Sequence, residues 1–286
     1  MKCRQDVFFH PTYFVFHLNN RITKMTVPVP LNKQYGKQPF YYFNGLVLRN
    51  SVVKPLTRIR VSAGTAIDRT GAYQIGSSED MTADIDGIMN GIGGIDEGTV
   101  SPNTVYGLYL IADPVGRMPT GIMFSLNYGD AINPPLMPVG YNCFSFIGTV
   151  ATDSSSHIIA GTWTGNNGSY RTFTYDSPVL VLNGGVQTTY TDLSLTGAVP
   201  IIRSTPTNFY SKFDANAIGD IQNLTSNSSS GDAVTVIAPV AGSSASTTSE
   251  NTVLSSFSIS AGGPAIKYKV SAGALSLYVT GYSVFL

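Results

Sequence analysis

Charge is what this sequence has least of. Asp, Glu, Lys and Arg make up 12% of its 286 residues, about half the share of an ordinary soluble domain. Solvent-facing polarity must therefore come from Ser, Thr, Asn and Gly, which suit strands and tight turns better than helices. Cysteine is nearly missing as well. Cys3 and Cys143 are the two present, too few for a disulfide framework, and isolated thiols point to synthesis in a reducing compartment. No apolar run approaches the roughly 18 residues of a membrane helix, so membrane insertion is not expected. The apolar start, Val7 to Phe16, is broken by His10 and Pro11 and lacks a small-residue cleavage site, which makes it a poor signal peptide. The chain is expected to be made in a cytoplasm and to leave it only as part of an assembly.

Catalytic constellations are missing too. There is no G-x-S-x-G, no phosphate-cradling glycine loop, no H-E-x-x-H and no C-x-x-C. His157 follows Asp153 and Ser154–Ser156, but these share one turn, whereas triad members converge from separate elements. Asp84-x-Asp86-Gly87 resembles the opening of a calcium loop, yet Ile88 follows and the closing Glu is out of place. No Asp pair stands out as the carboxylates of a glycosidase. Neither catalysis nor a metal or cofactor is expected. Trp163, Tyr170, Tyr175 and Tyr190 lie near polar loops and are candidate glycan contacts, although the alternation of Arg171, Phe173 and Tyr175 says strand more simply.

What is present is an arm followed by strands. Residues 1–40 carry Lys2, Arg4, Arg21, Lys24, Lys33 and Lys37 against Asp6 alone, while the chain as a whole is neutral. The body is therefore acidic, which argues against nucleic-acid binding. Pro11, Pro28, Pro30 and Pro39 keep the arm extended, and Met25 offers a second start. The arm's aromatic residues follow no period and must bury themselves on something. Phe8, Phe9, Phe14 and Phe16 are expected to anchor it on a partner, with Arg21 and Lys24 steering it to an acidic surface.

Residues 41–286 read as one β body, with a conceivable sub-boundary near 160–175. Thr57–Val61 and Ile122–Leu126 alternate as half-buried strands; Val105–Ile111 and Tyr141–Val150 are apolar on both faces, as central strands are. Further strands are expected at Val179–Leu182, Val186–Tyr190, Val234–Ile237, Val253–Ile259, Ile266–Val270 and, after a turn at Gly273, Leu275–Val279. Asn183-Gly184-Gly185 is expected to turn. Gly165–Ser169, Leu224–Gly231 and Ala241–Glu250 read as loops by composition. Many short strands at this spacing mean a sandwich or barrel. One helix is expected, since Met81, Ile85, Ile88, Met89 and Ile92 fall on a helical stripe behind Ser77 or Ser78 as cap. Val61-Ser-Ala-Gly recurs as Val270-Ser-Ala-Gly, an echo the composition explains as chance.

Several phrases in series are more specific. They are Asn44-Gly45-Leu46-Val47-Leu48, Arg58 to Asp68, Gly94-Ile95-Asp96-Glu97-Gly98, Asn103 to Ile111, Pro134 to Tyr141 and Ile147-Gly148-Thr149-Val150. In order and spacing they resemble a domain of tail-fibre, head-fibre and other minor structural proteins of tailed bacteriophages, over about residues 44–155. Val105 departs from the Trp usual before that Tyr, and Glu97 from a less charged residue. The resemblance implies a β-rich virion protein and brings no catalytic residues. The resulting expectation is an all-β, jelly-roll-like sandwich with one short helix and an extended arm. It would decorate a capsid or build a head or tail fibre, partnered by other virion proteins and by itself, as a homotrimer. The alternative is a receptor-binding tip that touches a host surface glycan. On their own physics, Gly45, Gly64 and Gly98 serve turns or close backbone approach, Asp96 bonds its own turn, and Pro134, Pro135 and Pro138 fix a crossing outside any ladder.

Overall fold

Alternating and two-sided apolar runs become strands wherever a neighbour can take their ladder. The computed structural model describes residues 29–30, 43–87, 91–128, 134–165, 167–168, 170–200, 206–215, 221–225, 234–237, 247–251, 257–258 and 265–285. Among these residues every regular element is a strand, and every strand pair is antiparallel. The protein is all-β.

The first half holds Val29–Pro30 (β1), Phe43–Gly45 (β2), Leu48–Asn50 (β3), Arg58–Val61 (β4), Gly64–Ile67 (β5), Tyr73–Ser77 (β6) and Met81–Asp84 (β7). Val105–Ala112 (β8), Gly121–Ser125 (β9) and Cys143–Ala151 (β10) follow. The second half holds Gly161–Thr164 (β11), Asn167–Gly168 (β12), Tyr170–Gly185 (β13), Thr191–Ser194 (β14), Pro206–Ala215 (β15) and Ile221–Thr225 (β16). It ends with Val234–Ile237 (β17), Thr247–Asn251 (β18), Phe257–Ser258 (β19), Ala265–Val270 (β20) and Ala274–Phe285 (β21).

These strands form five sheets, ordered β1-β6-β5-β2-β12, β3-β4-β7, β10-β8-β9, β11-β13-β21-β15-β18 and β14-β20-β16-β17, with β19 also on β15. β8 is buried on both faces, as its sequence requires of a central strand. β9 is buried on both faces as well, not half-buried, because Ile122 and Phe124 pack into one apolar cluster and Met123 into another, while Gly93–Asp96 bonds its outer edge. One apolar core runs from Phe43 and Leu48 through Ile147, Trp163 and Phe173 to Val279 and Val284, so it is unbroken across 160–175. A smaller cluster of Tyr109, Ile111, Met123 and Tyr141 lies on the other face of β8.

Among the described residues the expected helix is not formed. Met81–Asp84 is β7, paired with β4. Ala83 and Ile85 are buried while Thr82 faces solvent. An i, i+4 pair such as Met81 and Ile85 shares a face in a strand as well as in a helix, and the ladder to β4 decides between them. Ser77 does not cap a helix; its hydroxyl accepts from Glu79 N at 3.1 Å and donates to Glu79 O at 2.7 Å. Ile88–Asn90 lie outside the described residues.

Other corrections follow from pairing. β13 runs straight through Val179–Leu182 and Asn183-Gly184-Gly185 to a length of 16 residues, held by β21 with three register shifts. Val186–Tyr190 is loop, and the next strand starts at Thr191. Asn167–Gly168 and Thr247–Glu250, polar enough to read as loops, pair as edge strands with β2 and β15. Of Val253–Ile259, Phe257–Ser258 is strand and the remainder lies outside the described residues. Within the arm, Val29–Pro30 pairs with Gln74 and Tyr73 on the outer edge of β6, and an edge strand is a sheet position that tolerates proline.

Candidate functional site

The sequence nominated aromatic residues, and the structure separates them. Trp163 and Tyr175 are core, not surface: Trp163 packs on Phe173 with ring centroids 4.8 Å apart, and Tyr175 meets Phe173 at 4.7 Å. They face inward because β11 and β13 pair Trp163 directly with Phe173 in register. The Tyr175 hydroxyl donates to Ala198 O at 2.7 Å. Tyr170 is 54% exposed, whereas Tyr190 is half-buried with Lys269 Nζ 4.6 Å from its ring centroid. Tyr170 opens β13 and Tyr190 lies past its far end, and the strand is on the order of 50 Å long. They build no common site. Phe8, Phe9, Phe14, Phe16, Arg21 and Lys24 lie outside the described residues.

Exposed apolar side chains instead gather at the ends of hairpins. Between β3 and β4, Val52 is 93% and Val53 81% exposed, with Leu56 beside them. The tip is held stiff: Ser51 Oγ accepts from Val53 N at 3.3 Å, and Asn50 Nδ2 donates to Pro55 O at 2.9 Å. Arg58 N donates to Lys54 O at 2.9 Å, and Ile158 N to Leu56 O at 2.6 Å. A second group forms between β8 and β9, where Val115 and Met118 are exposed. There the buried Asp113 carboxylate accepts from Val115 N at 3.1 Å, Arg117 N at 2.9 Å and Arg117 Nε at 3.0 Å. The Arg117 bond is the main reason its pKa lies below the usual carboxylate range. Met118 packs on Gly140, next to Val139, which is 96% exposed. Pro134 to Gly140 forms no strand, as its prolines require, and Asp96 bonds both Glu97 N and Leu136 N at 2.9 Å.

The two apolar groups sit at opposite ends of β8. Ala112 pairs with Cys143 beside the β8–β9 tip, while Val105 pairs with Ala151, next to the Thr152–Ile158 bridge that leads to Leu56. An eight-residue strand sets them about 26 Å apart.

Between them the β3-β4-β7 sheet turns its scarce charge outward. Arg58 grips Asp84 through Nε at 2.8 Å, and Arg60 grips Asp80. Hydrogen bonds from these arginines are the main cause that holds both carboxyls below the ordinary range. Of the residues read as a calcium-loop opening, Asp84 is thus committed to an ion pair with Arg58. Among the described residues no group of three or more His, Cys, Asp or Glu is placed to hold a metal ion. His157 belongs to a polar turn in which its own backbone N and Ser155 N donate to Asp153 Oδ1 at 2.8 Å.

No protein-family model matches this chain, and no curated protein matches it.

Among the described residues no helix is long and apolar enough to cross a membrane, a statement that leaves β-barrels aside. One further residue escaped the sequence reading. Arg171 was legible only as part of an alternation, yet the structure buries it in phase with Phe173 and Tyr175. A basic residue in step with inward aromatic side chains is the signal that marks it.

Proposed function

We propose that this chain is a structural protein of a tailed-bacteriophage particle, a capsid-decoration, head-fibre or tail-fibre component with a jelly-roll-like body. It docks through residues 1–40 onto other virion proteins and associates with copies of itself as a homotrimer. It has no catalytic role. The observation that carries this reading is the pair of apolar groups, Val52, Val53 and Leu56 at one end of β8 and Val115, Met118 and Val139 at the other. Stiff, solvent-facing valines are costly on a lone molecule and sensible on one that meets neighbours. An apolar contact at each end suits a subunit joined head to tail, the heterologous arrangement that closes into rings or extends into fibres. The phrases that resemble phage fibre and decoration proteins support it too, since they supply most of β2, β4, β5 and β8 and part of β10 around one core.

The alternative, a tip that reads host glycans, retains Tyr170 and Tyr190 alone and is not pursued. Imaging of intact particles labelled with an antibody to this chain tests the proposal, with label expected at a fixed position on every particle. Deleting residues 1–40 should abolish incorporation while the body still melts cooperatively. Unlabelled particles from cells that contain the protein would overturn the assignment.

A further inference from the structure

Four charged residues are buried among the described residues: Asp68, Asp96, Asp113 and Arg171. The three carboxylates are each served by several donors or by a backbone N–H on either oxygen, Asp68 for example by Thr70 Oγ1 at 2.6 Å and Tyr73 N at 2.7 Å, Asp96 by Glu97 N and Leu136 N. Arg171 is not so served. It is 1% exposed, its guanidinium lies 4.0 Å from the centroid of the Phe43 ring, and Nη2 donates to Gly45 O at 3.3 Å. Among the described residues neither Nε nor Nη1 has an acceptor, so of five N–H donors the one bond made there is long. Burial pushes its pKa down to about 9, with no carboxylate among the described residues to oppose the shift, and it still carries its charge at neutral pH. A buried, unpaired guanidinium is among the costliest groups a fold can keep.

The backbone around it is set up to open. Gly45, the acceptor, is followed by Leu46, fully buried with φ of 51°, a left-handed conformation that leucine rarely adopts. Phe43 and Asn44 are covered on their outer edge by β12 alone, two residues long and including Gly168. A ladder so short separates at little cost. Among the described residues no second charge acts on the guanidinium, so its charge matches one singly charged, planar anion rather than a phosphate.

We propose that Arg171 is a receptor for a single carboxylate group, reached when β12 parts from β2. A free organic acid and an aspartate or glutamate side chain of a docking protein bring the same chemistry. The inference does not depend on a virion role.

The test uses the full chain with ¹⁵N-labelled arginine, in potassium acetate and in potassium chloride at equal ionic strength, with Arg171→Met as control. Acetate is expected to shift one Nε–H resonance, the one missing from Arg171→Met, and to raise Tm saturably by a few degrees in the wild type alone. N-acetylaspartate amide acting at a tenfold lower concentration than acetate would identify a protein side chain as the source. Equal potency would identify a free acid. Should Arg171→Met fail to fold, the assigned wild-type resonance decides by itself. An Arg171 resonance and a Tm that are the same in both salts would overturn the proposal.

Discussion

At the scale of single residues, the structure turns candidate contacts into packing. Trp163 touches Phe173 and lies 6.1 Å from Tyr282, ring centroid to centroid, while its six-membered ring borders Gly148. Trp163→Ala should therefore cost about 3–5 kcal/mol, the usual price for emptying a core of an indole. Tyr170→Ala, on an exposed strand start, should stay within about 0.5 kcal/mol. Paired thermal melts check this, and equal losses in the two variants would contradict the core assignment of Trp163. Much of this scale was legible in the sequence. Asp96 does bond its turn, and Gly45 and Gly98 do adopt φ of 73° and 78°. Gly64 has ordinary φ but sits where a Cβ would lie 2.3 Å from Leu46 N. What was not legible is the face a side chain takes. Trp163 in a Thr-rich stretch looks like surface until the register with Phe173 is known.

Elements were legible in proportion to how much of their pairing is local. β4 and β8 carry their period in their own residues, and both appear where expected. β7 does not, because Met81 and Ile85 satisfy two periods and only β4, through Arg58 and Asp84, chooses between them. β12 and β18 are polar segments turned into strands by the open edge beside them, a tertiary effect that no local propensity contains. The echoed Val-Ser-Ala-Gly has more content than composition suggests. Both copies sit where the chain leaves one sheet for another, from β4 to β5 and from β20 to β21. The β3–β4 tip carries the prediction of this scale. Val52→Asp with Val53→Asp removes two exposed methyl surfaces without touching the Ser51 and Asn50 bonds that shape the loop. Tm should move by no more than a degree or two, while light scattering coupled to size exclusion should show the wild-type oligomer falling to monomer. An oligomer that survives the double substitution would place the self-contact elsewhere.

For the molecule as a whole, low charge leaves few groups to titrate near neutrality, so the pH response is expected at the alkaline end. Burial raises Tyr109, Tyr175 and Tyr282 above the ordinary tyrosine range. Tyr109 and Tyr175 also donate to the carbonyls of Asn127 and Ala198 at 2.9 and 2.7 Å, which a phenolate could not do. Cys143 is pushed up to about 11, chiefly by burial, and Arg171 down to about 9. Above pH 9 the unfolded chain releases the Cys143 proton that the folded chain keeps, which costs stability as pH rises. Over the same interval the folded chain releases the Arg171 proton that the unfolded chain keeps, which adds stability. Each separated group contributes a slope of about 1.4 kcal/mol per pH unit, so between pH 9 and 10 the two oppose one another and stability should be nearly flat. Beyond pH 10 the unfolded chain ionises its tyrosines while the folded chain holds these three protonated. Three slopes then outweigh the single opposing one of Arg171, and the fold should be lost cooperatively between about pH 10 and 12. Tyrosinate absorbance should accordingly rise in two steps, exposed phenols first and the buried ones together with the collapse of the β-type circular dichroism. Cys143→Ala should convert the flat interval into a rising one. A single smooth tyrosine titration that leaves the circular dichroism intact would mean that water already reaches these hydroxyls in the folded protein.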